Sequence, residues 1–327
     1  MDERPLHENE IIKEDPDHIT LQPINEWDPT TLVDYATVIV TARRRSGKTV
    51  FAKNVIAKNR KRYDEIYIFS STIDKPANAA EYSFIPAQNR FTFLDEDKVR
   101  QILQKQDEIL NFNATRPKGE QVKSHVCIIL DDILTDPKFR RPNNVVDELF
   151  VQGRHSYITC FVLAQTFSGR EGVGPILRKN ADLIVSFFQH NINDRKAMAE
   201  QFLSLENAKV GAEYLRQITN VKHTACVIDV NNVGARTYTD YVFKYLAPNK
   251  KLPKFMIGDS KKRIREEKRS IIKSDTSRSR KRETVPIKTA PTKKSKQGKV
   301  KCNFVIRTAD MIDHSRSSIN CDEGYQF

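Results

Sequence analysis

Apolar residues recur along the chain in two rhythms. Continuous β-branched runs at residues 35–42 (YATVIVTA), 65–71 (EIYIFSS), 125–134 (HVCIILDDIL), 158–166 (ITCFVLAQT) and 181–189 (ADLIVSFFQ) have the length of strands buried on both faces. Between them the spacing turns helical. From Lys48 to about Tyr63, Val50, Phe51, Val55 and Ile56 share one stripe, with Lys53, Lys58, Arg60 and Lys61 off it. Further helices are predicted over about 95–110, 145–155 and 194–218, with a short strand at 91–94. Residues 113–124 have loop chemistry, and the glycine-rich 168–175 (SGREGVGP) is expected to be mobile. Residues 224–230 and 236–246 resemble a closing antiparallel pair across 231–235. Strands alternating with helices predict an α/β fold: a mostly parallel central sheet flanked by helices, because parallel neighbours need crossover connections. No repeat of 20–50 residues is visible.

Composition adds the boundaries. The 327 residues carry a net +13, but residues 250–301 hold 20 Lys/Arg against 5 Asp/Glu, which leaves the remainder close to neutral. Residues 1–34 read as an acidic, proline-containing arm anchored by the single tryptophan, Trp27, and residues 35–247 as one catalytic-sized domain. Residues 248–301 read as a disordered basic tail, since Lys, Arg, Ser and Pro bury too little to offset ordering entropy. Residues 302–327 are a segment without an assigned structure. Five cysteines (127, 160, 226, 302, 321) form no CxxC or zinc spacing. Cys127, Cys160 and Cys226 sit in apolar runs and should pack as small hydrophobes, as expected for a reducing, intracellular compartment. The start MDERPLHENE is too polar for a signal peptide. Apolar runs reach about eight residues, short of the roughly 18 needed to span a bilayer.

The candidate chemistry lies where strands end. Ala42, Arg43, Arg44, Arg45, Ser46, Gly47, Lys48 and Thr49 follow the phosphate-loop pattern of Gly, four residues, Gly-Lys-Ser/Thr, with Ala42 in place of the first glycine. Here amides at a helix N-terminus would surround phosphates, Lys48 would neutralise the β- and γ-phosphates of ATP, and Thr49 would ligate Mg²⁺. A basic surface turn is the alternative. Asp131 and Asp132 close the third strand: Asp131 suits the Mg²⁺ shell and Asp132 the attacking water, although two aspartates can also cap a following turn. Gln165, a polar amide ending an apolar strand, would meet the γ-phosphate or that water; otherwise it is a satisfied loop amide. Strand ends bearing Lys48, Asp131 and Gln165 would converge at the sheet edge where open α/β folds bind ligands. Three matches in the right order favour the phosphate loop.

These residues resemble a family. TARRRSGKT, CIILDDIL and the continuous GRHSYITCFVLAQTFSGREGVGPILRKNADLIVSFF are similar to the DNA-packaging ATPases of poxviruses and other large double-stranded DNA viruses, within the FtsK–HerA group of P-loop motors. The resemblance spans roughly residues 35–246, with Ala42 for the first glycine and Asp132 where many relatives carry glutamate. It implies a RecA/FtsK-like core and an ATP-driven translocase that packages genomic DNA into a capsid. It also implies a homo-oligomeric ring, a hexamer, in which an arginine from one subunit completes the ATP site of the next. Arg154 and Arg178 are the candidates, with Arg170 and Arg236 behind them. Implied partners are double-stranded DNA held without sequence preference and a capsid or vertex protein. The implied setting is the host cytoplasm or nucleus, in a viral factory, or the virion. The basic tail fits a polyanion through counterion release, and its composition equally fits a nuclear-import signal.

Two other functions stay open. A P-loop nucleoside or nucleotide kinase would want a lid with paired arginines and a compact C-terminus. A non-catalytic DNA-binding assembly protein with a relict nucleotide site would be consistent with Ala42 and Asp132.

Overall fold

The buried runs form strands and the stripes form helices in the computed structural model, which describes residues 23–258 apart from 123, 134–135, 137–138, 140, 142–143, 170–171, 204–206, 233, 236 and 249–253. In chain order the elements are β1 (Thr37–Thr41), α1 (Lys48–Lys58), β2 (Glu65–Ser70), α2 (Pro76–Glu81), β3 (Arg90–Phe91), α3 (Glu96–Ala114) and β4 (Val126–Asp131). They continue through α4 (Val145–Gln152), β5 (Ile158–Ala164), α5 (Pro175–Lys179), β6 (Leu183–Phe187), α6 (Ile192–Phe202), α7 (Ala208–Ile218), β7 (Thr224–Asp229) and β8 (Val242–Leu246). Among the described residues the strands make one eight-stranded sheet of order β3-β2-β4-β5-β1-β6-β7-β8. Pairing is parallel from β3 to β6, and β7 pairs antiparallel with both β6 and β8.

Alternate strand residues feed two cores. Ile39, Ile128, Leu130, Val162 and Ile184 face the layer built by α3, α4, α6 and α7. Val38, Val40, Ile129, Phe161 and Val185 face Phe51, Val55 and Ile56 of α1. This two-sided burial explains why the strands read as unbroken apolar runs. Trp27 is the expected anchor: it is buried, stacks on Phe51 at 5.7 Å, and its amide donates to the Lys244 carbonyl at 2.8 Å. Cys127, Cys160 and Cys226 are buried free thiols, as expected; Cys302 and Cys321 lie outside the described residues.

Several boundaries differ from the sequence reading, each for a local reason. Helix α1 stops at Lys58, because the Asn59 amide caps it by donating to the Val55 and Pro29 carbonyls. The helical stretch 194–218 is two helices, with Asn207 accepting from the Lys209 amide to start the second. Strand β8 begins only at Val242, since Thr237 and Asp240 cap each other in a single 3₁₀ turn. Helices α2 and α5, each opened by a proline, went unread. Of the loop expected to be mobile, the described ends are held: Ser168 donates twice to buried Asp194, and the Val173 amide donates to the Phe167 carbonyl. Folded sequence also extends past residue 248, where Phe255 stacks on Phe84 and Ile257 is buried. The rest of the basic tail and residues 302–327 lie outside the described residues.

Candidate active site

Strand β1 delivers its last residue to a tight turn. The Ala42 amide donates to the Ala164 carbonyl at 3.1 Å, so Ala42 continues the ladder, with a negative φ that needs no glycine. The chain then turns: the Ser46 amide reaches the Arg43 carbonyl, and Arg45 adopts φ +63°. Gly47, at φ +118°, starts α1. A side chain there would be strained by that φ and would meet the Phe187 ring at 3.1 Å. Arg43, Arg44 and Arg45 are exposed, and their side chains form no ion pair among the described residues. The loop therefore offers its amides and the α1 N-terminus, and the arginines stand outside it.

On one side of β1 the strand ends converge as their order requires. Lys48, 8% exposed, lies with Nζ 3.4 Å from Asp132 Oδ1, and the Gln165 amide donates to the same oxygen at 3.0 Å. Asp132 is half-buried in the left-handed region at φ +54°, a conformation Asp tolerates better than most residues. Asp131 is the last residue of β4 and 5% exposed; its Oδ2 accepts the Tyr82 hydroxyl at 2.7 Å. Burial pushes the Asp131 carboxyl up to about 6, with the Asp132 charge adding to this and Tyr82 and Lys48 opposing it. Burial first, and the Asp131 charge second, hold the Tyr82 phenol well above its ordinary value; a hydrogen bond with Thr49 partly offsets this. Tyr82 thus bonds Asp131, one of the two residues expected to hold a metal, and lies beside the other, Thr49.

Tyr82 escaped the sequence reading. It caps α2 in AAEYSFIP, a stretch without spacing or charge to mark it, and its role follows only from the fold. The donor set fits Mg²⁺ with a triphosphate: a hydroxyl (Thr49), a buried carboxylate (Asp131), and a loop where only glycine fits at 47. Among the described residues no group of three or more His, Cys, Asp or Glu is placed to hold a metal ion, so phosphate oxygens and water would complete the shell.

The two arginines stand apart from this group. Arg154 is exposed just ahead of β5, at the edge where the parallel strands begin, with Nε 3.2 Å from His155 Nε2. Arg178, in α5, is half-buried over the Phe167 ring at 5.3 Å, with its Nε unpartnered; burial lowers its pKa. Neither hydrogen-bonds the loop. Arg170 and Arg236 lie outside the described residues. No helix among the described residues is long and apolar enough to cross a membrane.

Comparison with known proteins adds three findings. The family described as Poxvirus A32 protein matches residues 30–199. The uncharacterized protein L437 of Acanthamoeba polyphaga mimivirus is 24% identical over 227 residues, 69% of this chain and 78% of that one. Among solved structures, the DNA-packaging ATPase B204 of Sulfolobus turreted icosahedral virus is 17% identical with a TM-score of 0.45, covering 67% of this chain and all of that one. EssC (ATPases 2 and 3) of Geobacillus thermodenitrificans is 13% identical with a TM-score of 0.46, covering 67% of this chain and 41% of that one.

Proposed function

Because the chain belongs to the poxvirus A32 protein family, we propose that it is an ATP-hydrolysing motor that drives double-stranded viral DNA into a capsid. One observation carries the reading: a single Asp132 oxygen holds Lys48 at 3.4 Å and Gln165 at 3.0 Å, beside buried Asp131. Lys48 exchanges Asp132 for the β- and γ-phosphates when ATP enters. Thr49 and Asp131 would hold Mg²⁺, which when bound would neutralise charge on the phosphate oxygens. Asp132, freed from the lysine, accepts a proton from the attacking water, and Gln165 fixes that water in line with the γ-phosphorus. The water oxygen bonds to the γ-phosphorus as the bond from that phosphorus to the β–γ bridging oxygen breaks, releasing ADP and phosphate.

In the proposed ring, a hexamer, Arg154 or Arg178 of one subunit completes the neighbour's site, a contribution of about 10³–10⁵ in rate. The basic tail grips the phosphate backbone of DNA, an interaction suited to movement along any sequence. A capsid or vertex protein docks the ring, in host cytoplasm or nucleus.

The test is steady-state phosphate release from MgATP with and without linear duplex DNA, beside displacement of a third strand from a triplex. Stimulation by DNA together with ATP-dependent displacement supports the motor. Phosphate appearing on a nucleoside would mean a kinase, and no turnover a relict site.

A further inference from the structure

Tyr82 holds its hydroxyl 2.7 Å from Asp131, yet the helix that it closes gives it little support. Helix α2 has six residues and buries none of them. Its first turn is anchored by Asn78, which donates to Thr72. Its tie to α1, Lys53 with Glu81 at 3.5 Å, is a largely exposed ion pair of the kind that contributes little. The ring is fixed from the other direction. The Ile85 amide donates to the Tyr82 carbonyl at 3.0 Å, which folds residues 82–85 into a turn, and the buried Phe84 ring lies 6.2 Å from that of Tyr82.

Residues 254–258, from beyond the last strand, cover that turn. The Phe255 ring stacks on Phe84 at 4.9 Å and 28°, and the Ile257 amide donates to the Phe84 carbonyl at 3.2 Å. Ile257 is buried with Tyr82, Phe84 and Ile85 in the core on the α1 side, and half-buried Phe255 packs against it. Gly258 closes the strap at φ +69°, where a side chain would be strained and would crowd the Asp64 carbonyl at 3.3 Å. Asp64 directly precedes β2, and β4, β5, β1, β6 and β7 stand between β2 and β8. The strap therefore joins the chain end to the far part of the sheet, a contact that closing the β8 edge does not require. The sequence then becomes SKKRIREEKR (260–269), the root of the basic tail.

We propose that Phe255 and Ile257 are positioning residues for the metal site: through Phe84 they hold the turn that aims the Tyr82 hydroxyl at Asp131. The role rests on the ATP-site reading above and adds that the site is braced from the root of the basic tail. Neither residue touches Asp131 or Thr49. Each acts by fixing the backbone and ring packing of residues 82–85, so its effect must pass through the Tyr82 hydroxyl.

The test compares full-length Phe255→Ala, Tyr82→Phe and the double variant in the Mg²⁺ concentration that gives half-maximal turnover. Phe255→Ala should raise it about threefold, within the range by which residues without ligand contact change affinity. Phe255→Tyr should leave it as in wild type, and Phe255→Ala should add nothing once the Tyr82 hydroxyl is gone. Phe255→Leu, which keeps apolar bulk and loses the ring stack, gives the same comparison at less cost to folding. Hydrogen exchange in the nucleotide-free protein reads the brace without turnover: the Ile85 amide should exchange faster in Phe255→Ala, with the amides of β7 and β8 unchanged. An Mg²⁺ requirement that Phe255→Ala leaves alone, or raises equally with and without the Tyr82 hydroxyl, overturns the positioning role and leaves the ATP site standing. Equal acceleration of exchange at Ile85 and across β7 and β8 overturns it too, since Phe255 would then be an ordinary stabilising residue. Wild-type turnover indifferent to Mg²⁺ overturns the metal site itself, and the brace with it.

Discussion

Strand β4 has two very different ends. At its start, His125 is 7% exposed, its Nε2 lies 2.8 Å from the Thr159 hydroxyl, and its ring packs between Tyr35 and Tyr63. Its amide donates to Asp64, and its carbonyl accepts the Asp64 amide. At the other end two adjacent carboxylates, one of them buried, share a single nearby lysine, and Asp132 sits in a left-handed conformation. The first end is closed on itself. The second keeps an electrostatic conflict that a cation and an anionic ligand would relieve, which is how a binding edge differs from a stabilising one.

The sharpest break in that contrast is Lys48→Ala, expected to lower ATP turnover by about 10²–10³-fold, as read by phosphate release, while the fold persists. The His125 end has its own signature. Burial lowers the His125 pKa from its ordinary 6.5 to about 4. Over that interval the unfolded chain binds a proton that the folded chain refuses, so stability falls as pH falls. The loss should reach about 2 kcal/mol by pH 5. Asp131, raised to about 6, acts in the opposite sense over the same range. The difference between wild type and His125→Gln in urea unfolding at pH 7 and pH 5 therefore isolates the histidine. Equal acid sensitivity in both would remove it from the account.

Tyr82→Phe keeps the ring in the core and deletes the hydroxyl that reaches Asp131. The Mg²⁺ concentration for half-maximal turnover should rise about tenfold, as for other groups that orient a metal ligand. An unchanged Mg²⁺ requirement would make Tyr82 a packing residue. The smallest effect on stability is expected from Asp131→Asn, which removes one of two neighbouring carboxylates but leaves an acceptor for Tyr82. The nucleotide-free protein should gain about 1 kcal/mol of stability at pH 7, measured by urea unfolding, and lose turnover. Destabilisation would contradict the crowding argument.

Much of this was legible in the sequence because the relevant residues sit in runs. Five apolar stretches announced the parallel strands; Asp131 and Gln165 stand near the ends of two of them, and Lys48 lies in the loop that follows a third. The family seen in those motifs is the family to which the chain belongs. Tyr82 was not legible, because it reaches the loop only through the order of the strands. The unread helices are short, and the early end of α1 turns on one asparagine amide reaching back to Pro29. The start of β8 was misplaced because alternation in RTYTDYVFKYL looks like a strand even where Thr237 and Asp240 cap each other. Neither Arg154 nor Arg178 hydrogen-bonds the loop within one subunit: Arg154 lies against His155 and Arg178 over the Phe167 ring.

The most direct test is a crystal structure with Mg²⁺ and a slowly hydrolysed ATP analogue. The account predicts Lys48 Nζ on the β- and γ-phosphates and away from Asp132, with the metal about 2.1 Å from the Thr49 hydroxyl and near Asp131. Lys48 still paired with Asp132, and the nucleotide bound elsewhere or not at all, would contradict it.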